Sequence, residues 1–182
     1  MRIAVYGGSF DPPHLGHAMV AAWALWTGRV DAVWLLPCAS HPFDKEMVAF
    51  ETRLSLCERL AEIIGEGVST CDVERLLPAP NYTWDTLTHL QDKHKEHTFV
   101  LLVGADTIGQ VHLWHRWSDI AENFDPIIVG REGYPPREDA PTFPGFSSTE
   151  VRSRLAEGLE VGHLVPASLL DQIVLLYGSV ST

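Results

Sequence analysis

The sequence is short of cysteine, of basic residues and of long apolar runs, and each shortage removes a class of protein. It holds three cysteines, Cys38, Cys57 and Cys71, an odd number at irregular spacing. That pattern builds neither a disulfide framework nor a zinc ligand set, and it fits a reducing compartment. Lys and Arg together number 13 against 24 Asp and Glu, for a formal net charge of -11. Such an acidic chain argues against sequence-independent nucleic-acid binding, which rests on a basic face meeting phosphates. A phosphorylated small molecule stays within reach, because a few local cations and backbone amides hold one. No run approaches the roughly 18 apolar residues that cross a bilayer. The opening Met1–Gly7 reads as a strand and lacks the apolar stretch of a secretory leader, so a soluble, cytoplasmic protein without membrane or nucleic-acid partners is expected. Internal repeats and low-complexity tracts are lacking as well.

What is present is an ordinary globular balance, 46% hydrophobic and 20% charged over 182 residues, enough for one domain spanning residues 1–182. Short apolar runs alternate with segments of helical period. Strands are expected at Ile3–Tyr6, Ala32–Leu36, Val68–Val73 (an edge strand), Thr98–Val103 and Pro126–Val129. Helices are expected at Leu15–Trp26, Phe50–Ile64, Tyr82–Lys93 with Thr83 or Asp85 as cap, twice within Ile108–Asn123, at Ser147–Leu155 and at Pro166–Tyr177. The stretch Gly130–Gly145, rich in Pro, Gly and charge, reads as a long surface loop, and Tyr134–Pro144 within it is a candidate lid. Alternating strand and helix predict an α/β fold with a doubly wound, mostly parallel sheet.

The densest signal follows the first strand: Gly7-Gly8-Ser9-Phe10-Asp11-Pro12-Pro13-His14-Leu15-Gly16-His17. Ligands of open α/β sheets bind beyond the carboxyl ends of the strands, where this loop lies. Gly7 and Gly8 let the backbone pass close to a ligand, and Gly16 removes a side chain where phosphates would approach. His14 and His17, three apart at a helix start, share a face suited to phosphate oxygens. A plain turn followed by solvated histidines, or a metal pair, is the competing reading, but no third metal ligand stands nearby. A second cluster, Ser147-Ser148-Thr149-Glu150-Val151-Arg152, has the form of a plain capped helix start. Arg152, one turn in, adds a guanidinium to the free amides and hydroxyls and makes an anion site.

The first block resembles the H-x-G-H signature of the nucleotidylyltransferase superfamily, and its form G-G-S-F-D-P-P-H-x-G-H is similar to that of the nicotinate mononucleotide adenylyltransferases. Related pantetheine-phosphate adenylyltransferases and cytidylyltransferases commonly carry Thr or another residue in place of His14. The second block resembles the superfamily's I-S-S-T-x-x-R motif, with Phe146 replacing the usual Ile. Asn81–Leu87 resembles the family's Y-T/S-x-D-T segment, Gly104-Ala105-Asp106-Thr107 its G-A-D-S, and Leu113–Trp117 its W-x-R-W stretch. One place departs: Ser40-His41-Pro42-Phe43-Asp44-Lys45 stands where P-P-H-K is usual, so Asp44 replaces the histidine while Lys45 and Arg53 still match.

The resemblance implies transfer of AMP from ATP to nicotinate mononucleotide, forming deamido-NAD and pyrophosphate. It implies His14, His17 and Arg152 as catalytic groups, with Gly8, Ser9, Phe10, Gly16, Ser148 and Thr149 joining them around ATP. It places Lys45, Tyr82, Thr83, Asp85, Thr86, Gly104, Asp106 and Trp114 around the mononucleotide. Trp114 offers a stacking face to the pyridine ring, whereas Trp117 reads as core. Asp106 reads equally well as a cap of the following helix. Mg²⁺ is expected to ride on the ATP phosphates with no all-protein metal cage. Two other readings stay open: an adenylyl- or cytidylyltransferase for another phosphorylated acceptor, and a nucleotide-binding regulatory module without turnover.

Overall fold

The structure is a computed structural model that describes residues 1–40, 47–109, 111–136 and 140–178. Among the described residues six strands, β1 (Arg2–Gly8), β2 (Ala32–Pro37), β3 (Val68–Thr70), β4 (Thr98–Gly104), β5 (Ile127–Arg131) and β6 (Thr142–Phe143), form one sheet in the order β3-β2-β1-β4-β5-β6. Every pair of neighbours is parallel. Among the described residues seven α-helices accompany them: α1 (Leu15–Trp26), α2 (Phe50–Ile64), α3 (Thr83–Lys93), α4 (Ala105–Ile108), α5 (Trp117–Asn123), α6 (Ser148–Ala156) and α7 (Leu170–Tyr177). Three-ten turns occupy Val73–Leu76, Val111–Leu113 and Ala167–Leu169.

Strand alternation sorts the apolar side chains onto two faces. Ala4, Val33, Leu35, Val100, Leu102 and Val129 join α1, α2, α6 and α7 in one core. Ile3, Val5, Phe99, Leu101, Val103 and Ile128 join α3 and α5 in the other. Burial on both faces is why β1 and β4 read as continuous apolar runs. The chain leaves β1 towards β2 on one side and later enters β4 on the other, so the crevice between β1 and β4 is the switch point where α/β sheets bind ligands.

The doubly wound sheet agrees with expectation, and three local expectations need correction. The segment Gly130–Gly145 is not all loop: β5 runs on to Arg131, and Thr142–Phe143 adds a sixth strand to it. Residues 137–139 of the candidate lid lie outside the described residues. The edge strand at Val68 stops at Thr70, and a three-ten turn follows. Helix α3 has Tyr82 as its N-cap and no side-chain cap, so neither Thr83 nor Asp85 fills that role. Among the described residues no helix is long and apolar enough to cross a membrane.

Candidate active site

Three strands, β1, β4 and β5, end side by side on Gly8, Gly104 and Arg131. From Gly8 the chain turns through Phe10, whose φ of 46° is in the left-handed region. That costs a residue with a side chain about 1–2 kcal/mol. The fully buried phenyl ring offsets it, packing 5.8 Å from Tyr6 and 4.6 Å from His17 between centroids. Phe10 can therefore offer a ligand its backbone but not its ring.

His14 is the N-cap of α1, and His17 is on the first turn with its ring stacked 3.7 Å from that of His14. The His14 backbone N–H donates to His17 Nδ1 at 3.1 Å. An Nδ1 that accepts carries no proton, so neutral His17 holds its proton on Nε2. Burial pushes His14 down to about 3, with Arg131 adding to the effect. His17 is also pushed well down, by burial first and then by His14 and Arg131. Both rings are neutral at pH 7. Among the described residues the buried His14 Nδ1 has no hydrogen-bond partner. A Cβ on Gly16 would come within 3.0 Å of the His14 ring and 3.2 Å of Phe146 Cβ. The glycine thus lets the histidine pair and the entry to α6 close on one another.

Helix α6 is held against this loop. Ser147 caps it by accepting from the Glu150 N–H at 3.0 Å. Ser148 Oγ donates to the Pro12 carbonyl at 2.9 Å. Arg152 donates to the Asp11 carbonyl and, at 3.4 Å, to Thr149 Oγ1. Asp11, 2% exposed, accepts from the Tyr177 hydroxyl at 2.9 Å and the Val48 N–H at 3.2 Å, with Arg152 3.7 Å away. Arg53, 1% exposed, donates to the carbonyls of Val48, Ser9 and Cys38 at 2.8–2.9 Å. It clamps the ends of β1 and β2 to the start of α2 and is out of a ligand's reach.

On the other side, Asp106 is in the first turn of α4, whose N-cap is Gly104, so Asp106 is not the cap. Its carboxylate pairs with Arg131 at 2.7 Å, and Arg131 also donates to the Gly145 carbonyl at 3.2 Å. A Cβ on Gly104 would fall 2.4 Å from Asp106 Oδ1, so glycine is what permits this carboxylate position. Tyr82 is exposed and packs 4.7 Å from His115, while Asp85 is exposed on the first turn of α3. Trp114 meets Trp117 edge-to-face at 5.5 Å, and both lie partly buried against the second core. Thr86, expected on the mononucleotide, is fully buried, and its hydroxyl is occupied by Glu74 and the Tyr82 carbonyl. Lys45 and Asp44 lie outside the described residues.

Arg131, Asp11, Tyr177 and Glu74 were not found by sequence reasoning. Arg131 had a usable signal, since it follows an apolar strand run as Gly8 and Gly104 do. The others act through contacts between distant segments. Among the described residues no group of three or more His, Cys, Asp or Glu side chains is arranged for a metal ion. Of the site's two paired carboxylates, Asp11 is taken by Val48 and Tyr177 and Asp106 by Arg131.

The model of the cytidylyltransferase-like family matches residues 5–154. A probable nicotinate-nucleotide adenylyltransferase from Anaeromyxobacter sp. (strain K) is 47% identical over 175 residues, covering 94% of this chain and 93% of the relative. Another, from Myxococcus xanthus (strain DK1622), is 36% identical and covers 92% and 88%. Among solved structures, Plasmodium falciparum nicotinic acid mononucleotide adenylyltransferase complexed with NaAD superposes with a TM-score of 0.80 at 22% identity. That match covers 95% of this chain and 94% of the other, and it speaks to the fold.

Proposed function

The chain belongs to the cytidylyltransferase-like family, among its nicotinate-nucleotide adenylyltransferases, and from that premise we propose how its residues divide the work. The reaction transfers AMP from ATP to nicotinate mononucleotide. An oxygen of the mononucleotide phosphate attacks the α-phosphorus of ATP, the bond to the β-phosphate oxygen breaks, and pyrophosphate leaves with that bond's electron pair. Positioning and charge stabilisation carry such a step without covalent help from the protein.

The observation that carries the assignment is the meeting of two helix starts at one loop. The His14–His17 pair opens α1, Ser148, Thr149 and Arg152 open α6, and Asp11–Pro12 bonds to both Ser148 and Arg152. We assign the ATP phosphates to this junction, with backbone of Gly8, Ser9 and Phe10 alongside. His17 donates its Nε2–H to a phosphate oxygen as a neutral imidazole, its Nδ1 held as an acceptor by the His14 N–H. Arg152 stabilises charge from the opposite side. Mg²⁺ enters as part of the MgATP substrate, since it takes oxygen ligands and the site's own carboxylates are engaged. It neutralises charge on the phosphates.

The mononucleotide is assigned to the crevice between α3 and the end of β4, with Tyr82, Thr83, Asp85, Gly104, Asp106 and Trp114 about it. The α3 start supports a carboxylate ligand, because no side chain caps it and its first amides keep their donors. A carboxamide would turn an NH₂ donor towards those donors. Two such effects of roughly 1–2 kcal/mol each give a preference for the acid of about thirtyfold to several-hundredfold. Pyrophosphate release with MgATP and either nicotinate or nicotinamide mononucleotide tests this as a ratio of kcat/KM. Equal efficiency would remove the acid-selective assignment, and turnover with neither would remove the activity.

A further inference from the structure

Glu74 is 6% exposed in the three-ten turn Val73–Leu76, and the transfer chemistry has no use for it. Its two oxygens accept from neutral donors on two different segments. Oε2 takes the Ala39 N–H at 3.0 Å, just past the end of β2, and Oε1 takes the Thr86 hydroxyl at 3.2 Å, on α3. Its carbonyl accepts from Asn81 Nδ2 at 3.0 Å, and Asn81 Oδ1 in turn accepts from Ser40 Oγ at 3.0 Å. One residue and its neighbour thus fasten Ala39–Ser40 to Asn81–Thr86. Burial pushes the Glu74 carboxyl up, and the bonds to Ala39 and Thr86 oppose that. An apolar residue would fill the space without a desolvation penalty, so the carboxylate is explained by the two segments it joins.

We infer that Glu74 is a positioning residue of the acceptor subsite, fixing the tip of β2 and the start of α3 in one geometry around the pyridine mononucleotide. This rests on the assignment of the mononucleotide to the α3 start. Glu74 touches no substrate; it acts through Ala39 and Thr86. Its role is geometric, so a neutral isostere satisfies it. In Glu74→Gln, Oε1 still accepts from Ala39 while the amide donates to Thr86 Oγ1. The Thr86 hydroxyl proton then goes to the Tyr82 carbonyl, already 3.2 Å away.

The test varies nicotinate mononucleotide and MgATP separately in steady-state pyrophosphate release, with thermal melting alongside. Glu74→Ala is expected to raise KM for the mononucleotide about tenfold and leave KM for ATP within about twofold. Thr86→Val, which cuts one bond of the bridge, is expected to shift the same ratio and serves if Glu74→Ala does not fold. Glu74→Gln and Thr86→Ser are expected within about threefold of wild type for both substrates. The proposal is overturned if the two KM values move together in Glu74→Ala and Thr86→Val, if neither moves, or if Glu74→Gln is as impaired as Glu74→Ala. Those outcomes leave the mononucleotide assignment standing. A wild-type enzyme that does not turn over nicotinate mononucleotide overturns that assignment and this one with it.

Discussion

At the scale of single residues, the proton on His17 decides most. Its Nδ1 is held as an acceptor by the His14 N–H, so Nε2 is fixed as the donor before any ligand arrives. His17→Ala removes a preorganised donor, and we expect turnover to fall about 10²–10³-fold while the protein still folds. Rates of pyrophosphate release beside a thermal melt check this; a folded variant with near-normal turnover would contradict the assignment. Gly16→Ala is expected to give a milder version of the same loss, because its methyl presses on the His14 ring and on Phe146. These residues were legible in the sequence because glycines and histidines crowd one strand end. Gly16 was legible for a partial reason: it spares room for His14 and α6, a contact no sequence spacing announces.

Helices α1 and α2 begin and end at Leu15–Trp26 and Phe50–Ile64, as the sequence indicated. Turn-forming residues bound α1, and a clear 3.6-residue apolar face marks α2. Strand β6 was missed because two residues between Pro141 and Pro144 show no period, and their pairing with β5 is a tertiary event. The C-terminal helix opens as a three-ten turn after Pro166 for a similarly local reason that blurs boundaries. Helix α6 is the element on which ATP use should depend. Ser147→Ala removes its cap and should cost about 1 kcal/mol of stability, read as a lower denaturation midpoint. Arg152→Ala should weaken ATP binding about tenfold or more and leave the mononucleotide nearly unaffected. Calorimetric titration with each ligand separates the two, and the reverse pattern would overturn the division of the site.

For the whole molecule, the buried histidine pair makes stability depend on pH. An unfolded chain protonates histidine near 6.5, whereas His14 in the fold does so only near about 3, and His17 is lowered too. Between those limits the unfolded state binds more protons, so stability is complete above 6.5 and falls as the pH drops. Moving from neutrality to about pH 5 should remove roughly 2 kcal/mol through His14 alone. Urea midpoints for wild type and His14→Gln at both pH values test it, and the variant should lose less. An equal loss in both would place the pH dependence elsewhere.

The hydroxyl of Tyr177 on the Asp11 carboxylate joins residues 166 positions apart. A ribosome delivers Asp11 early and Tyr177 near the end of this sequence, with translation running from the first to the second. During synthesis the Val48 N–H and Arg152 are available to the Asp11 carboxylate before the Tyr177 hydroxyl is, so this contact closes only after α7 has emerged and docked. A nascent chain stalled short of Tyr177 is left with its first loop one contact looser.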